Sequence, residues 1–171
     1  MSEKELGVAV VGSGRIGTLR ANMSARHPSV KFLAVSDKDP TRADVLKQAV
    51  GADLASGDNQ EVIAHPSVTS VFVSTPEHDH LEAVLAAIEL GKPVFLEKPV
   101  ALTIEDADKI VEASERTGTE VVVGYSRRHD RRWMLTKEHI AQGRLGEILG
   151  IQSRVYNSRT QMLQILKRSP E

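Results

Sequence analysis

The feature that most constrains this chain is an apolar run that ends in three spaced glycines. Residues 8–11 have the composition of a buried strand, and Gly12, Gly14 and Gly17 follow in the pattern G-x-G-x-x-G. A strand that turns sharply into a helix presents backbone N–H groups and the positive end of the helix dipole to an anion. The first glycine permits the turn, the second lets a pyrophosphate approach the backbone, and the third lets the helix pack on the strand. We therefore predict a nucleotide-binding turn here.

Strands and helices alternate from residue 8 to residue 123. Further strands are predicted at 31–36, near 52–55, and at 68–74, 94–96 and 121–123. Asp39 and Thr103 are predicted to cap helices, and Gly51 lies just past a predicted helix end. This alternation predicts an α/β fold, a doubly wound parallel sheet with helices on both faces. Ligands of such sheets bind at the carboxyl ends of the strands.

The alternation stops after Gly124. A helix is predicted over residues 133–142, followed by a strand over residues 148–156 that would open a second domain. The segment 161–168 is rich in apolar side chains, with nothing further in the chain to bury them. We therefore expect a nucleotide-binding domain at residues 1–124 and, at residues 125–171, a connecting segment and the start of a truncated C-terminal α/β domain.

Charge and composition argue against several function classes. The chain of 171 residues has 22 Lys and Arg against 23 Asp and Glu, which gives no reason to expect binding to nucleic acid or to an anionic membrane surface. It has no cysteine, so thiolate metal sites and a cysteine nucleophile are excluded. The N-terminus lacks the basic and apolar regions of a signal peptide, and we expect a cytoplasmic protein.

Asp37 ends the second predicted strand, 37 − 17 = 20 residues after the last glycine of the fingerprint. An acidic residue at this separation is placed to accept hydrogen bonds from the ribose hydroxyls of a dinucleotide. It also repels a 2′-phosphate, which favours NAD over NADP. Lys38 weakens this preference, because a cation there could partly offset the repulsion. The plain alternative is an aspartate that only caps a loop.

Two further loops follow predicted strands. Thr75 and Pro76 open a loop that also contains His78 and His80; we expect this loop to line the cofactor cleft, and no metal site. Lys98 follows the strand at 94–96, so it projects at the mouth of the cleft. A protonated lysine stabilises negative charge on a reacting oxygen, and a neutral one can accept a proton. In another position, Glu97 and Lys98 would be an ordinary surface pair.

Together, these motifs resemble the Gfo/Idh/MocA oxidoreductase family. The resemblance rests on the fingerprint with Asp37, Ser74-Thr-Pro76, Glu97-Lys-Pro99 and Gly124-Tyr-Ser-Arg-Arg128, and it extends to Gly146. It implies an N-terminal Rossmann domain, a C-terminal α/β domain for substrate and oligomer contacts, and oxidation or reduction of a sugar, inositol or polyol carbinol with NAD(P). The full-length protein would be a homo-oligomer, and the family's catalytic Asp and His would lie beyond residue 171.

The fingerprint and the resemblance together give the candidate site residues. Those for cofactor binding are Gly12, Gly14, Arg15, Ile16, Asp37, Lys38, Ser74, Thr75, Pro76, His80, Glu97 and Lys98. Lys98 is also the candidate catalytic residue, and Arg127 is implied to face the substrate. Glu77 and His129 depart from the family pattern, where Asn and an aromatic residue are frequent.

We therefore predict an NAD-dependent dehydrogenase, with NADP not excluded, whose 171-residue chain binds the cofactor but is inactive alone. One alternative is a nucleotide-binding sensor without catalysis. Another is a family member that cleaves glycosides through transient oxidation by NAD.

Overall fold

The computed structural model describes residues 5–156 and 158–168. The chain separates into two compact units, Met1–Ser126 and Arg127–Glu171. The division falls after Ser126 rather than after Gly124. That the second unit begins a substrate domain stays a prediction.

In the described part of the first unit, six strands alternate with five α-helices. They are β1 Leu6–Val11, α1 Arg15–Arg26, β2 Val30–Ser36, α2 Pro40–Val50, β3 Leu54–Ser56, α3 Asn59–Ala64, β4 Ser70–Val73, α4 His80–Glu89, β5 Val94–Leu96, α5 Ile104–Thr117 and β6 Val121–Val123. A 3-10 turn, Glu77–Asp79, precedes α4. The predicted elements of this unit are present, although α1 begins at Arg15, so Gly17 lies inside the helix.

The six strands form one parallel sheet in the order β3-β2-β1-β4-β5-β6. The order reverses direction between β1 and β4, which is where a doubly wound sheet opens a crevice for its ligand. The predicted α/β fold with a doubly wound parallel sheet is confirmed. Its switch point places the turn after β1 beside the turn after β4.

Successive side chains of β1 point to opposite faces of the sheet. Val8 and Val10 belong to an apolar cluster that includes side chains of α1 and α2. Ala9 and Val11 belong to the opposite cluster, which includes side chains of α3, α4 and α5. All four are at most 2% exposed. Because both faces of the central strand are covered, its backbone is rigidly held at the point where the glycine turn begins.

The helix boundaries follow the predicted caps. Asp39 precedes α2, and its side chain accepts a hydrogen bond from the N–H of Thr41 at 3.0 Å. Thr103 caps α5 in the same way, through the N–H of Asp106 at 3.1 Å. Each bond satisfies a backbone donor that the first turn of a helix leaves unpaired.

The second unit is helical where the structure assigns elements to it. A 3-10 turn, Ser126–His129, spans the boundary, and α6 Arg131–Ala141 and α7 Arg159–Arg168 follow. The strand predicted over residues 148–156 is wrong, since these residues form no strand. An extended segment becomes a strand only when a neighbour accepts and donates its backbone hydrogen bonds. No such neighbour occurs among the described residues after β6.

None of the helices in the described ranges combines the length and the apolar character needed to span a bilayer.

Candidate functional site: the crevice between β1 and β4

The turn after β1 requires glycine for steric reasons at two positions. Gly12 has φ +94°, and a Cβ there would lie 2.8 Å from backbone atoms of Ser74 and Thr75. A Cβ on Gly17 would lie 1.6 Å from the carbonyl oxygen of Gly12. The first and third glycines therefore let β1, α1 and the end of β4 approach one another, in agreement with the roles predicted for them.

Gly14 differs from the other two, because no atom lies within 4 Å of a Cβ built on it. Gly14 caps α1 with ordinary backbone angles, and no side chain forms a cap hydrogen bond. Arg15 and Ile16 form the first turn of α1, which contains no acidic residue. The protein alone thus gives no steric reason for glycine here. The open space in front of the helix N-terminus suits an anion.

Asp37 is tied to the glycine turn. Its Oδ2 accepts a hydrogen bond from the N–H of Ser13 at 2.8 Å, and its Oδ1 accepts one from the N–H of Asp39 at 3.0 Å. Ser13 also donates its hydroxyl to the carbonyl of Ser36 at 3.0 Å. The structure therefore brings the carboxylate and the fingerprint together. Each carboxylate oxygen can still accept a further hydrogen bond.

Lys38 lies beside Asp37 but pairs with a residue of another loop. Its Nζ is 2.5 Å from Oδ1 of Asp79, which follows β4 in the 3-10 turn before α4. The lysine side chain is 69% exposed, whereas that of Asp79 is only 18% exposed. The cation that the sequence places next to Asp37 is thus held by a second carboxylate.

The residues after β4 present two hydroxyl groups without partners. Oγ of Ser74 and Oγ1 of Thr75 are buried and have no hydrogen-bond partner among the described residues. Buried polar atoms are almost always paired in folded proteins. Both residues lie against Gly12 across the switch point. Pro76, which follows them, is exposed at the start of the 3-10 turn.

His80, the first residue of α4, follows this loop and is 1% exposed. Its Nδ1 is 3.0 Å from the carbonyl oxygen of Pro99, and its Nε2 is 3.2 Å from that of Thr75. The imidazole therefore links the loop after β4 with the loop after β5. Its contact with a cofactor stays a prediction.

Glu97, directly after β5, is bound by an arginine of α1. Nε of Arg20 donates to Oε1 of Glu97 at 3.0 Å, and a second guanidinium nitrogen pairs with the same oxygen. The guanidinium carbon also lies 4.6 Å from the centroid of the Phe95 ring. Gly124 closes this group, since a Cβ there would lie 3.0 Å from the Phe95 ring and 3.4 Å from Oε2 of Glu97. Such an arrangement fixes the carboxylate at the end of β5.

Lys98 is exposed, and a cis peptide bond joins it to Pro99. It thus follows β5 on the same edge of the sheet as Ser74, because β4 and β5 are adjacent and parallel. Arg127 belongs to the second unit, and its contact with a substrate stays a prediction.

Arg20 and Asp79 are the two members of the site that sequence reasoning missed. Arg20 stands three residues after Gly17, so it shares a face of α1 with the last glycine of the fingerprint. That spacing could have indicated a side chain directed at the crevice. Asp79 lies between two histidines, and nothing in the sequence around it indicates a contact with Lys38. In the described ranges, no group of three or more His, Asp or Glu side chains is arranged to hold a metal ion.

Comparison with known proteins agrees with this geometry. The family model described as "Oxidoreductase family, NAD-binding Rossmann fold" matches residues 6–125. A myo-inositol 2-dehydrogenase of Thermotoga maritima is 33% identical over 149 residues, which are 86% of this chain and 45% of that protein. A scyllo-inositol 2-dehydrogenase (NAD(+)) of Bacillus subtilis is 32% identical, over 85% of this chain and 43% of that protein.

The fold of a solved structure is also similar. The scyllo-inositol dehydrogenase of Lactobacillus casei, solved with bound NAD(H) and scyllo-inositol, superposes with a TM-score of 0.88 at 27% identity. The match covers 96% of this chain and 49% of that one. The chain therefore spans less than half the length of the relatives that it matches.

Proposed function

This chain belongs to the oxidoreductase family with an NAD-binding Rossmann fold, and we propose that it is the cofactor-binding part of a dehydrogenase that acts on an inositol or a related polyol. The single observation that carries the proposal is the crevice at the switch point. There the glycine turn, Asp37 and the loops after β4 and β5 meet on one edge of the sheet. The relatives named above are inositol dehydrogenases, which supports the choice of substrate class.

The residues present fit a dinucleotide. The open space at Gly14 leaves room for a pyrophosphate at the N-terminus of α1. The unpaired hydroxyls of Ser74 and Thr75 lie across the same crevice and would find partners in a polar ligand. Asp37 would accept the ribose hydroxyls through the capacity that its two oxygens retain.

Oxidation of a carbinol removes a hydride from carbon and a proton from oxygen. NAD, when bound, supplies the hydride acceptor. The ammonium of Lys98 would hold the substrate oxygen and stabilise the negative charge that grows there as the proton passes to a separate general base. Glu97, fixed by Arg20, keeps the segment before Lys98 in one position. The protein would also hold the reacting atoms of substrate and cofactor at near-attack distance and exclude water. Arg127 is proposed to contact the substrate, and the whole protein to be a homo-oligomer.

The test uses the protein expressed from its full reading frame, with NAD⁺ and a panel of inositols, other polyols, sugars and glycosides. We expect NADH formation, followed at 340 nm, with at least one inositol or polyol. Lys98→Ala should still bind NADH but lose at least about a hundredfold in turnover. Lys109→Ala is the matched control, because Lys109 is an exposed lysine of α5.

Two results would overturn the proposal. NADH binding without oxidation of any member of the panel would indicate a nucleotide-binding sensor. Cleavage of glycosides without net NADH formation would indicate glycoside cleavage through transient oxidation by NAD. Full turnover in Lys98→Ala would refute the catalytic role of Lys98 but would leave the proposed function standing.

A further inference from the structure

The charge next to Asp37 depends on which group holds Lys38. A ribose 2′-hydroxyl is neutral, whereas the 2′-phosphate of NADP is an anion that a carboxylate repels and an ammonium attracts. Asp37 and Lys38 are adjacent in sequence and therefore act on this position with opposite signs. With Lys38 free to turn toward the ligand, their effects would nearly cancel.

The structure does not leave Lys38 free. Its Nζ pairs with Asp79, 41 residues further along the chain, at 2.5 Å. Asp79 is the more fixed partner, since it is 18% exposed against 69% for Lys38. His78 is the other titratable group at this carboxylate, with Nε2 3.5 Å from Oδ2 of Asp79.

The surroundings of the ion pair are acidic. Lys38 and Asp79 lie on the wall of a cavity of about 230 Å³ between the ends of β2 and β3 and helix α4. Asp58 and Glu82 also line it, so Lys38 is the single cationic side chain among four charged ones in the described lining. The Asp58 carboxylate already accepts the N–H of Gln60 at the start of α3. An anionic phosphate entering here would meet three carboxylates and one occupied ammonium.

We propose that Asp79 is a specificity residue that keeps Lys38 occupied and thereby makes the site select NAD over NADP. The inference rests on the proposed function, because it assumes that the crevice binds a dinucleotide. It goes further in assigning the selectivity to two carboxylates, Asp37, which precedes Lys38 in the sequence, and Asp79, which pairs with it. Asp37 repels the 2′-phosphate, and Asp79 withholds the cation that would otherwise attract it.

The experiment is a pair of fluorescence titrations, with NADH and with NADPH, on the 171-residue chain and three variants. Asp79→Asn keeps the shape of the side chain but removes the negative charge that holds the ammonium. We expect it to lower the ratio Kd(NADPH)/Kd(NADH) by about three- to fivefold, with most of the change in NADPH binding. The gain should shrink as salt is raised, because an exposed ammonium–phosphate contact is screened.

The double variant Lys38→Ala with Asp79→Asn separates the proposed cause from a general change of charge. We expect it to return the ratio to the wild-type value, since no ammonium is left to bind the phosphate. Asp44→Asn is the control for charge alone, because Asp44 is exposed on α2. It should leave the ratio unchanged.

An unchanged ratio in Asp79→Asn, or an equal gain in the double variant, overturns the role of Asp79 while leaving the dinucleotide site intact. A wild-type chain that binds neither NADH nor NADPH overturns the proposed function and this inference together. Circular dichroism melts of each variant establish that the compared proteins are folded.

Discussion

Arg20 of the first helix holds Glu97, which lies 77 residues further along the chain at the end of β5. The guanidinium of Arg20 pairs through two nitrogens with one carboxylate oxygen and lies over the ring of Phe95. The two side chains are 21% and 15% exposed. This contact joins the helix that follows the glycine turn to the strand that positions Lys98.

Replacing Arg20 tests how much that contact contributes to the free energy of unfolding. Arg20→Met should lower the free energy of unfolding by about 1–3 kcal/mol, because it leaves a largely buried carboxylate without its charged donor. Arg20→Lys should recover part of the loss, since an ammonium keeps the charge but not the fork of donors. Urea denaturation measures the change. The control is Arg116→Met, whose pair with Glu89 is more than half exposed and should contribute less than about 1 kcal/mol. Equal losses in both methionine variants would contradict this interpretation.

His80 should matter for stability far more than its neighbour His78. His80→Ala removes the link between the carbonyls of Thr75 and Pro99 and leaves a cavity. We expect a loss of about 2 kcal/mol or more. His78→Ala, two residues earlier in the 3-10 turn and with a side chain that is 67% exposed, should change the free energy of unfolding by less than about 0.5 kcal/mol. Thermal unfolding compares the two, and similar melting temperatures would exclude the bridging role.

Asp130, at the start of α6, should titrate well below an ordinary aspartate. Hydrogen bonds from the side chain and backbone of Arg132, with the charge of Arg127 nearby, lower the pKa of Asp130 to about 2. Because the folded-state pKa is depressed, the stabilisation is present above the unfolded pKa near 4 and is lost as the pH falls through about 2. Carboxyl ¹³C shifts give the titration directly. Arg132→Ala should move the midpoint upward, and an unmoved midpoint would refute the assigned cause.

Local rules predicted most of the fold. Asp39, Thr103 and Gly51 mark helix ends through contacts with their own backbone neighbours, so their roles follow from a few consecutive residues. The doubly wound parallel sheet, with its ligand-binding loops at the carboxyl ends of the strands, follows from the alternation of strands and helices. The strand order comes from the structure alone.

Contacts between distant loops could not be predicted in this way. The Lys38–Asp79 pair joins two loops that are adjacent only after the sheet has formed. The Arg20–Glu97 pair likewise joins α1 to the residue after β5, 77 positions further along the chain. The wrong strand at residues 148–156 has the same origin. A suitable composition allows a strand, but a partner strand decides whether it forms.

The central claim is that the space in front of α1 belongs to the pyrophosphate of a bound dinucleotide. Gly14 tests it best, because a methyl group there would meet no protein atom within 4 Å and would strain no backbone angle. Gly14→Ala should therefore melt close to the wild-type temperature, with a loss of less than about 1 kcal/mol from alanine at the N-cap. It can weaken binding only by occupying the ligand's space. Gly150→Ala, which also meets no atom, is the matched control in the second unit.

The decisive measurement is the NADH affinity of the wild-type, Gly14→Ala and Gly150→Ala chains by fluorescence titration. A pyrophosphate in front of α1 predicts saturable NADH binding for the wild type and the Gly150 variant, and a Kd at least about tenfold higher for Gly14→Ala. A folded Gly14→Ala chain that binds NADH as tightly as the wild type would contradict this placement of the pyrophosphate.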